Sequence, residues 1–157
     1  MGISGKVAII GVGLCKFGEN FDKSYQDMVI DACYPAFEDA NITKDMIQAA
    51  WLGTYLPYAW NIDGVSGTSL VEPLNLFPIP VTRVSNYCCT GMEAVRNAAL
   101  AVASGEYEYV LACGVEKMRD VPARGSLVAQ HVERGHPYYC KGRSAPGIFA
   151  LMATRYM

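Results

Sequence analysis

The chain has 157 residues, of which 52% are apolar and 18% charged, enough to bury one core and too apolar for a disordered chain. Its 13 Lys plus Arg against 15 Asp plus Glu leave a formal net charge of -2, which gives no general attraction to phosphate backbones or anionic lipid. Neither nucleic acid nor a membrane is therefore expected as a partner. No run reaches the ~18 consecutive apolar residues of a spanning helix, and the first residues lack a basic stretch followed by a long apolar one, so a cytoplasmic location is expected.

Six cysteines, Cys15, Cys33, Cys88, Cys89, Cys113 and Cys140, are spread along a chain without an export signal, which argues against a disulfide framework. No C-x-x-C pair exists, and His131 and His136 lie beyond finger spacing from any cysteine, so no metal site is expected.

In chain order, "KVAIIGV" from Lys6 to Val12 is a short apolar run bounded by glycine and predicts a strand buried on both faces. The glycines that follow do not form a dinucleotide fingerprint, because Lys16 stands where the third glycine is needed; a tight strand-exit turn fits better. Ser24 with Asp27 three residues on is a capping-box-like start, and Tyr25, Met28, Val29, Ala32, Cys33, Ala36 and Phe37 recur at helical spacing. This predicts an amphipathic helix ending near Asn41, kinked at Pro35, with Cys33 on its apolar face. Thr43 to Ile47 reads as a helical turn, Ala49 to Tyr55 as a strand and Pro57 to Gly67 as a loop. Tyr58 and Trp60 in that loop suit a pocket, a subunit interface or the cover of a core edge.

The β-branched run within Pro78 to Cys88 predicts a third strand, and Gly91 to Ser104 a helix stopped by Gly105. "YVLACGV" from Tyr109 to Val115 is then another buried strand. Strand, helix, strand at this spacing is a βαβ unit, so the fold class is α/β with a mostly parallel central sheet covered by helices. Arg119 to Arg143 reads as a long excursion loop, and a new apolar helix follows Pro146. That helix runs to the end of the sequence with no stop signal and part of its apolar face uncovered, as expected of an incomplete domain.

The chemically suggestive stretch is "SNYCCTGMEA", Ser85 to Ala94. A cysteine between a buried strand and a helix start meets unpaired backbone N–H groups and the positive end of the helix dipole, which favour the thiolate. The same donors can receive the oxyanion formed when a thiolate attacks a thioester carbonyl. Gly91 permits close approach of a backbone or substrate, and the Thr90 hydroxyl is placed to cap the helix. Position alone leaves a second reading open, in which both cysteines are small core residues.

"NYCCTGMEA" followed by "GEYEYVLACGVEKM" resembles the nucleophile motif of the thiolases: a cysteine, a small residue, Ser or Thr and Gly open a helix, and a strand ending Gly-Val-Glu-Lys/Ser-Met follows. "KVAIIGVGLCKFG" and "KGRSAPGIFALMATRYM" are similar to the acetyl-CoA acetyltransferases of the sterol-carrier-protein-x-like branch. The resemblance covers essentially residues 1–157 and implies an N-terminal thiolase domain.

It implies that Cys88 is the acyl-accepting nucleophile, with its own backbone N–H as an oxyanion donor, and that Cys89 fills the small-residue packing position. It implies further that coenzyme A thioesters are substrates, with acyl-CoA and CoA as partners and no bound cofactor. Val81 to Tyr87 would lie near a two-fold homodimer interface, and a zinc-ribbon and OB-fold accessory protein could help seat CoA. The histidine base and second acid/base group of such enzymes belong to a C-terminal half, so His131 and His136 carry no assigned chemistry.

The expected function is acyl transfer that forms or cleaves a β-ketoacyl-CoA through an acyl-cysteine, within lipid metabolism. Alternatives are a CoA-linked side-chain aldolase or lyase of the same superfamily and a non-catalytic scaffold subunit. Lys117, Arg119, Arg124, Arg134, Lys141 and Arg143 could meet CoA phosphates, but scattered loop charges are more often solvated, and they remain unassigned.

Overall fold

The computed structural model describes residues 2–60, 63–122, 137 and 144–157, with residue 60 described by its backbone alone. Helix α1 spans Tyr25–Ala40. Ser24 Oγ accepts the Asp27 N–H at 3.0 Å while the Asp27 carboxylate accepts the Ser24 N–H at 2.8 Å, completing the expected capping box. Asn41 ends the helix in the left-handed region at φ 53. Tyr25, Val29, Cys33 and Phe37, four apart, form the buried stripe. Pro35 lies on the exposed side, where water can replace the backbone bond it removes, and α1 runs through it as one element.

A 3-10 turn, Lys44–Met46, leads into strand β1, Ala49–Gly53. Helix α2 covers Pro57–Trp60 and α3 Thr68–Leu74; β2 is Val81–Val84, α4 Thr90–Ala103 and β3 Val110–Gly114. A second 3-10 turn follows at Met118–Asp120, and α5 spans Ala145–Tyr156 behind a Ser144 cap that accepts the Gly147 N–H. The three strands form a sheet of order β2-β1-β3, parallel throughout, with Gly53 opposite Val84 on one side and Gly114 on the other. The expected parallel βαβ unit is therefore present.

The two faces of β1 are covered by different helices. Ala50 and Leu52 join Val29, Cys33, Phe37, Leu70 and Leu74 in one apolar cluster, whereas a Cβ on Gly53 would lie 3.3 Å from Thr90 of α4. This helix-sheet-helix layering explains why β1 is buried along nearly its whole length.

Four expectations are corrected. Lys6 to Val12 forms no strand: Ile9, Ile10 and Val12 are exposed, and the segment lies along the backbone of α1. The reason is close approach at glycine. A Cβ on Gly11 would meet Ala36 O at 2.3 Å and one on Gly13 would meet Ala32 O at 2.0 Å, while the Val12 N–H is taken by the Asp39 carboxylate. The stretch 57–67, read as a loop, opens with the short helix α2. Helix α3, for which no element was predicted, turns its Leu70, Val71 and Leu74 into the core and tolerates Pro73 one position before its end.

Lys117 is the fourth. Left unassigned among loop charges that are more often solvated, it is buried, its Nζ donating to Asn20 O at 3.0 Å and Lys23 O at 2.6 Å and pairing with Asp120 at 3.2 Å. It thereby staples the start of α1 to the exit of β3, beside an ion pair between Arg119 and Glu19. The excursion loop beyond residue 122, with Arg124, Arg134, His131, His136, Cys140, Lys141 and Arg143, lies outside the described residues. Among the described residues no helix is long and apolar enough to cross a membrane, and no group of three or more His, Cys, Asp or Glu is placed to hold a metal.

Candidate functional site at the carboxyl ends of the strands

All three strands run the same way, so the loops at their carboxyl ends converge: Thr54–Leu56 after β1, Ser85–Cys89 after β2 and Val115–Lys117 after β3. Cys88 lies in the second of these. Between β2 and α4 the chain turns at Tyr87, which adopts φ 46, a left-handed conformation rare for a bulky side chain. Cys89 N–H bonds to Asn86 O at 2.9 Å and Thr90 N–H to Tyr87 O at 3.2 Å, closing the turn tightly. Glu93 N–H is taken by Cys89 O, and among the described residues the N–H groups of Gly91 and Met92 have no acceptor.

Both cysteines are exposed. For Cys88 this agrees with a thiol that can be reached. For Cys89 it overturns the expected packing role, because the buried face of α4 is Thr90, Ala94 and Ala98, and Cys89 at the N-cap precedes that stripe. Thr90 is corrected as well. It does not cap the helix; buried at the first helical position, its hydroxyl points back, donating to Tyr87 O at 2.7 Å and accepting the Asn86 N–H at 2.8 Å. A Cβ on Gly91 would meet nothing within 4 Å, so the space beside the turn is open.

Residues without an assigned role in the sequence reading complete the arrangement. The Glu116 carboxylate accepts the Tyr55 N–H at 2.7 Å and the Leu56 N–H at 3.3 Å. Arg83 donates to Thr54 Oγ1 at 2.6 Å, Thr54 O at 2.8 Å and Tyr55 O at 3.3 Å, and Ser85 Oγ donates to Tyr55 O at 3.0 Å. The Tyr55 and Tyr87 rings lie 5.1 Å apart. Burial first, then the neighbouring Tyr87, Cys88 and Glu116, hold the Tyr55 hydroxyl above its ordinary range. A sequence signal for Glu116 existed: a carboxylate directly after a wholly apolar strand sits at the end of the sheet where parallel folds place their sites.

The other buried thiols are structural. A hydrogen bond with Cys113, then burial, pushes the Cys33 thiol far above the usual range, so it stays neutral in the core. Tyr58 on α2 is exposed.

Comparison with known proteins matches the sequence of this chain to one family. The sequence profile described as "Thiolase, N-terminal domain" matches residues 7–151. An acetyl-CoA acetyltransferase of Methanothermobacter thermautotrophicus is 36% identical over 155 residues, covering 96% of this chain and 39% of that protein. Sterol carrier protein 2 of Oryctolagus cuniculus is 33% identical over 135 residues, covering 84% of this chain and 23% of its own. Among solved structures, the Ltp2-ChsH2(DUF35) aldolase superposes with a TM-score of 0.65 at 21% identity, over 96% of this chain and 37% of that one. The priming β-ketosynthase of the R1128 polyketide pathway gives 0.55 at 25% identity, over 68% and 31%. The chain thus spans about two fifths or less of the length of the relatives it matches, the part in which the cysteine turn and the Glu116 strand end both fall, and it belongs to the thiolase family.

Proposed function

We propose that the protein of which this chain forms part is an acyl-CoA acyltransferase that forms or cleaves a β-ketoacyl-CoA, with Cys88 as its nucleophile. The observation that carries the reading is the exposed Cys88 thiol at the turn into α4, in a chain 36% identical to an acetyl-CoA acetyltransferase. The Cys88 thiolate attacks the thioester carbonyl, the oxygen gains the electron pair, and backbone N–H groups of the turn, that of Cys88 included, receive it. Collapse breaks the carbon–sulfur bond to CoA and leaves an acyl group on Cys88; in the cleavage direction the thiolate attacks the β-keto carbonyl instead, and the bond between the α and β carbons breaks, its electron pair leaving with the acyl-CoA enolate. A second CoA thiolate or an acyl-CoA enolate then takes the acyl group, which restores the thiol. The general base is assigned to no described residue; such assistance is typically worth ~10²- to 10⁴-fold.

A homodimer pairing near Val81 to Tyr87, a place in lipid metabolism and a cytoplasmic location belong to the same proposal. So does an accessory protein of the kind named in the Ltp2-ChsH2(DUF35) aldolase. The test is peptide mapping of the intact polypeptide after brief exposure to acetyl-CoA. An acetyl group on Cys88, lost in Cys88→Ala and kept in Cys89→Ala, is the expected result. Full acyl transfer by Cys88→Ala would reject the assignment, and a C–C cleavage product formed without consumption of free CoA would favour a lyase.

A further inference from the structure

We propose that Glu116 is a positioning residue for Cys88, acting through the backbone of Tyr55; this rests on the reading of Cys88 as the nucleophile. Arg83 and Ser85 already tie the ends of β1 and β2; Glu116 joins the end of β3 to the same loop. Glu116, at the end of β3, grips two consecutive N–H groups, those of Tyr55 at 2.7 Å and Leu56 at 3.3 Å. A carboxylate can take both because each oxygen accepts one bond, and charge-assisted bonds of this kind are about twice as strong as neutral ones. With its N–H held, Tyr55 presents its carbonyl to β2 and the loop after it, where Arg83 Nη2 reaches it at 3.3 Å and Ser85 Oγ at 3.0 Å.

The second link is the side chain. The Tyr55 ring lies 5.1 Å from that of Tyr87, the residue held at φ 46 directly before Cys88. A left-handed tyrosine persists only where its surroundings over-determine it. Among its determinants are the Thr90 hydroxyl on the Tyr87 carbonyl and the Tyr55 ring on its side chain. Without them the turn would relax toward an ordinary conformation and carry the Cys88 thiol with it. The Glu116 carboxylate and the Arg83 guanidinium polarise the peptide group between Thr54 and Tyr55 in the same sense, its N–H (Tyr55) toward the anion and its C=O (Thr54 O, 2.8 Å from Arg83 Nη2) toward the cation.

Glu116→Gln is the direct test, because glutamine keeps the shape but has one acceptor oxygen and turns an NH2 donor toward an N–H donor. Two rates are measured on the intact polypeptide: acetylation of Cys88 by acetyl-CoA, and its alkylation by iodoacetamide, both followed by peptide mass. Expected are a maximal acetylation rate lowered about tenfold or more with the KM for acetyl-CoA within about twofold, and an alkylation rate changed at least about threefold. In the double variant with Tyr87→Gly, which frees the turn, the two losses should not add. Should Glu116→Gln fail to fold, Ser85→Ala removes one bond from an exposed side chain and should shift both rates the same way.

Parental rates in every folded variant, or strictly additive losses with Tyr87→Gly, would overturn the proposal. The two readings fail separately. A parent protein never acetylated on Cys88 rejects the nucleophile, while its alkylation rates still report whether Glu116 sets the geometry of the thiol.

Discussion

Thr54 offers the sharpest check on how the site is held, because one hydroxyl with no solvent exposure serves two loops. Its Oγ1 donates to Gly64 O at 2.7 Å and accepts Arg83 Nε at 2.6 Å. Thr54→Val preserves the volume and removes both bonds. The Gly64 carbonyl loses a buried donor, worth ~1–3 kcal/mol, and Arg83 Nε loses its acceptor at a smaller cost, since Arg83 is only half-buried and keeps two other bonds. The sum is about 2–4 kcal/mol, or a fall in Tm of about 5–12 °C for a chain of this size. Thr54→Ser keeps the hydroxyl and loses one methyl, about 1 kcal/mol. Urea unfolding of the intact polypeptide separates the cases. A serine variant weaker than the valine variant, or a valine variant within about 0.5 kcal/mol of the parent, would refute the claim that this hydroxyl holds the loops together.

Other outcomes follow from single contacts. Gly13→Ala would drive a Cβ into the Ala32 carbonyl, so the segment 7–18 should lift from α1; hydrogen exchange at the Val12 amide, now bonded to Asp39, should rise by at least about tenfold. Tyr25 Oη is buried with no hydrogen-bond partner among the described residues, so Tyr25→Phe should match or exceed parental stability in urea, against the 2–5 kcal/mol loss typical of core truncations. Burial also raises the Tyr25 hydroxyl above its ordinary 10.0; the folded state then holds its proton longer than the unfolded one, and the stability this carries is lost as pH rises past 10. The phenylalanine variant should show a shallower alkaline decline. Asp27 runs the other way: its bonds to Ser24 hold the carboxyl below 3.8, so its contribution to α1 is present above that pH and lost as acid protonates it. Asp27→Asn should flatten the acid limb of the helical circular dichroism signal.

What the sequence disclosed depended on how local each cause was. The capping box of α1, the glycine after α4 and the two apolar runs flanking the cysteine turn are set by neighbours within a few residues, and each lies where the pattern put it. The N-terminal run and Lys117 misled because their surroundings come from distant residues: glycine contacts with Ala32 and Ala36 in one case, carbonyls of Asn20 and Lys23 in the other. Cys88 could be singled out from the motif around it. The Tyr55 brace could not, since it joins groups 30 and 61 residues apart and no periodicity encodes a hydrogen bond between loops.

The position of β1 in the middle of the sheet also sets an order of events during synthesis. Its first neighbour, β2, follows after about thirty residues, but its second, β3, pairs Ala49 with Val110 some sixty residues later, a long-range closure of the kind that slows folding. At ~5–20 residues per second, one edge of β1 waits roughly 3 to 12 s for its partner to be made. Over that interval the nascent chain holds Ala49–Gly53 as an unpaired apolar edge, and Glu116 can reach the Tyr55 and Leu56 amides only after it closes.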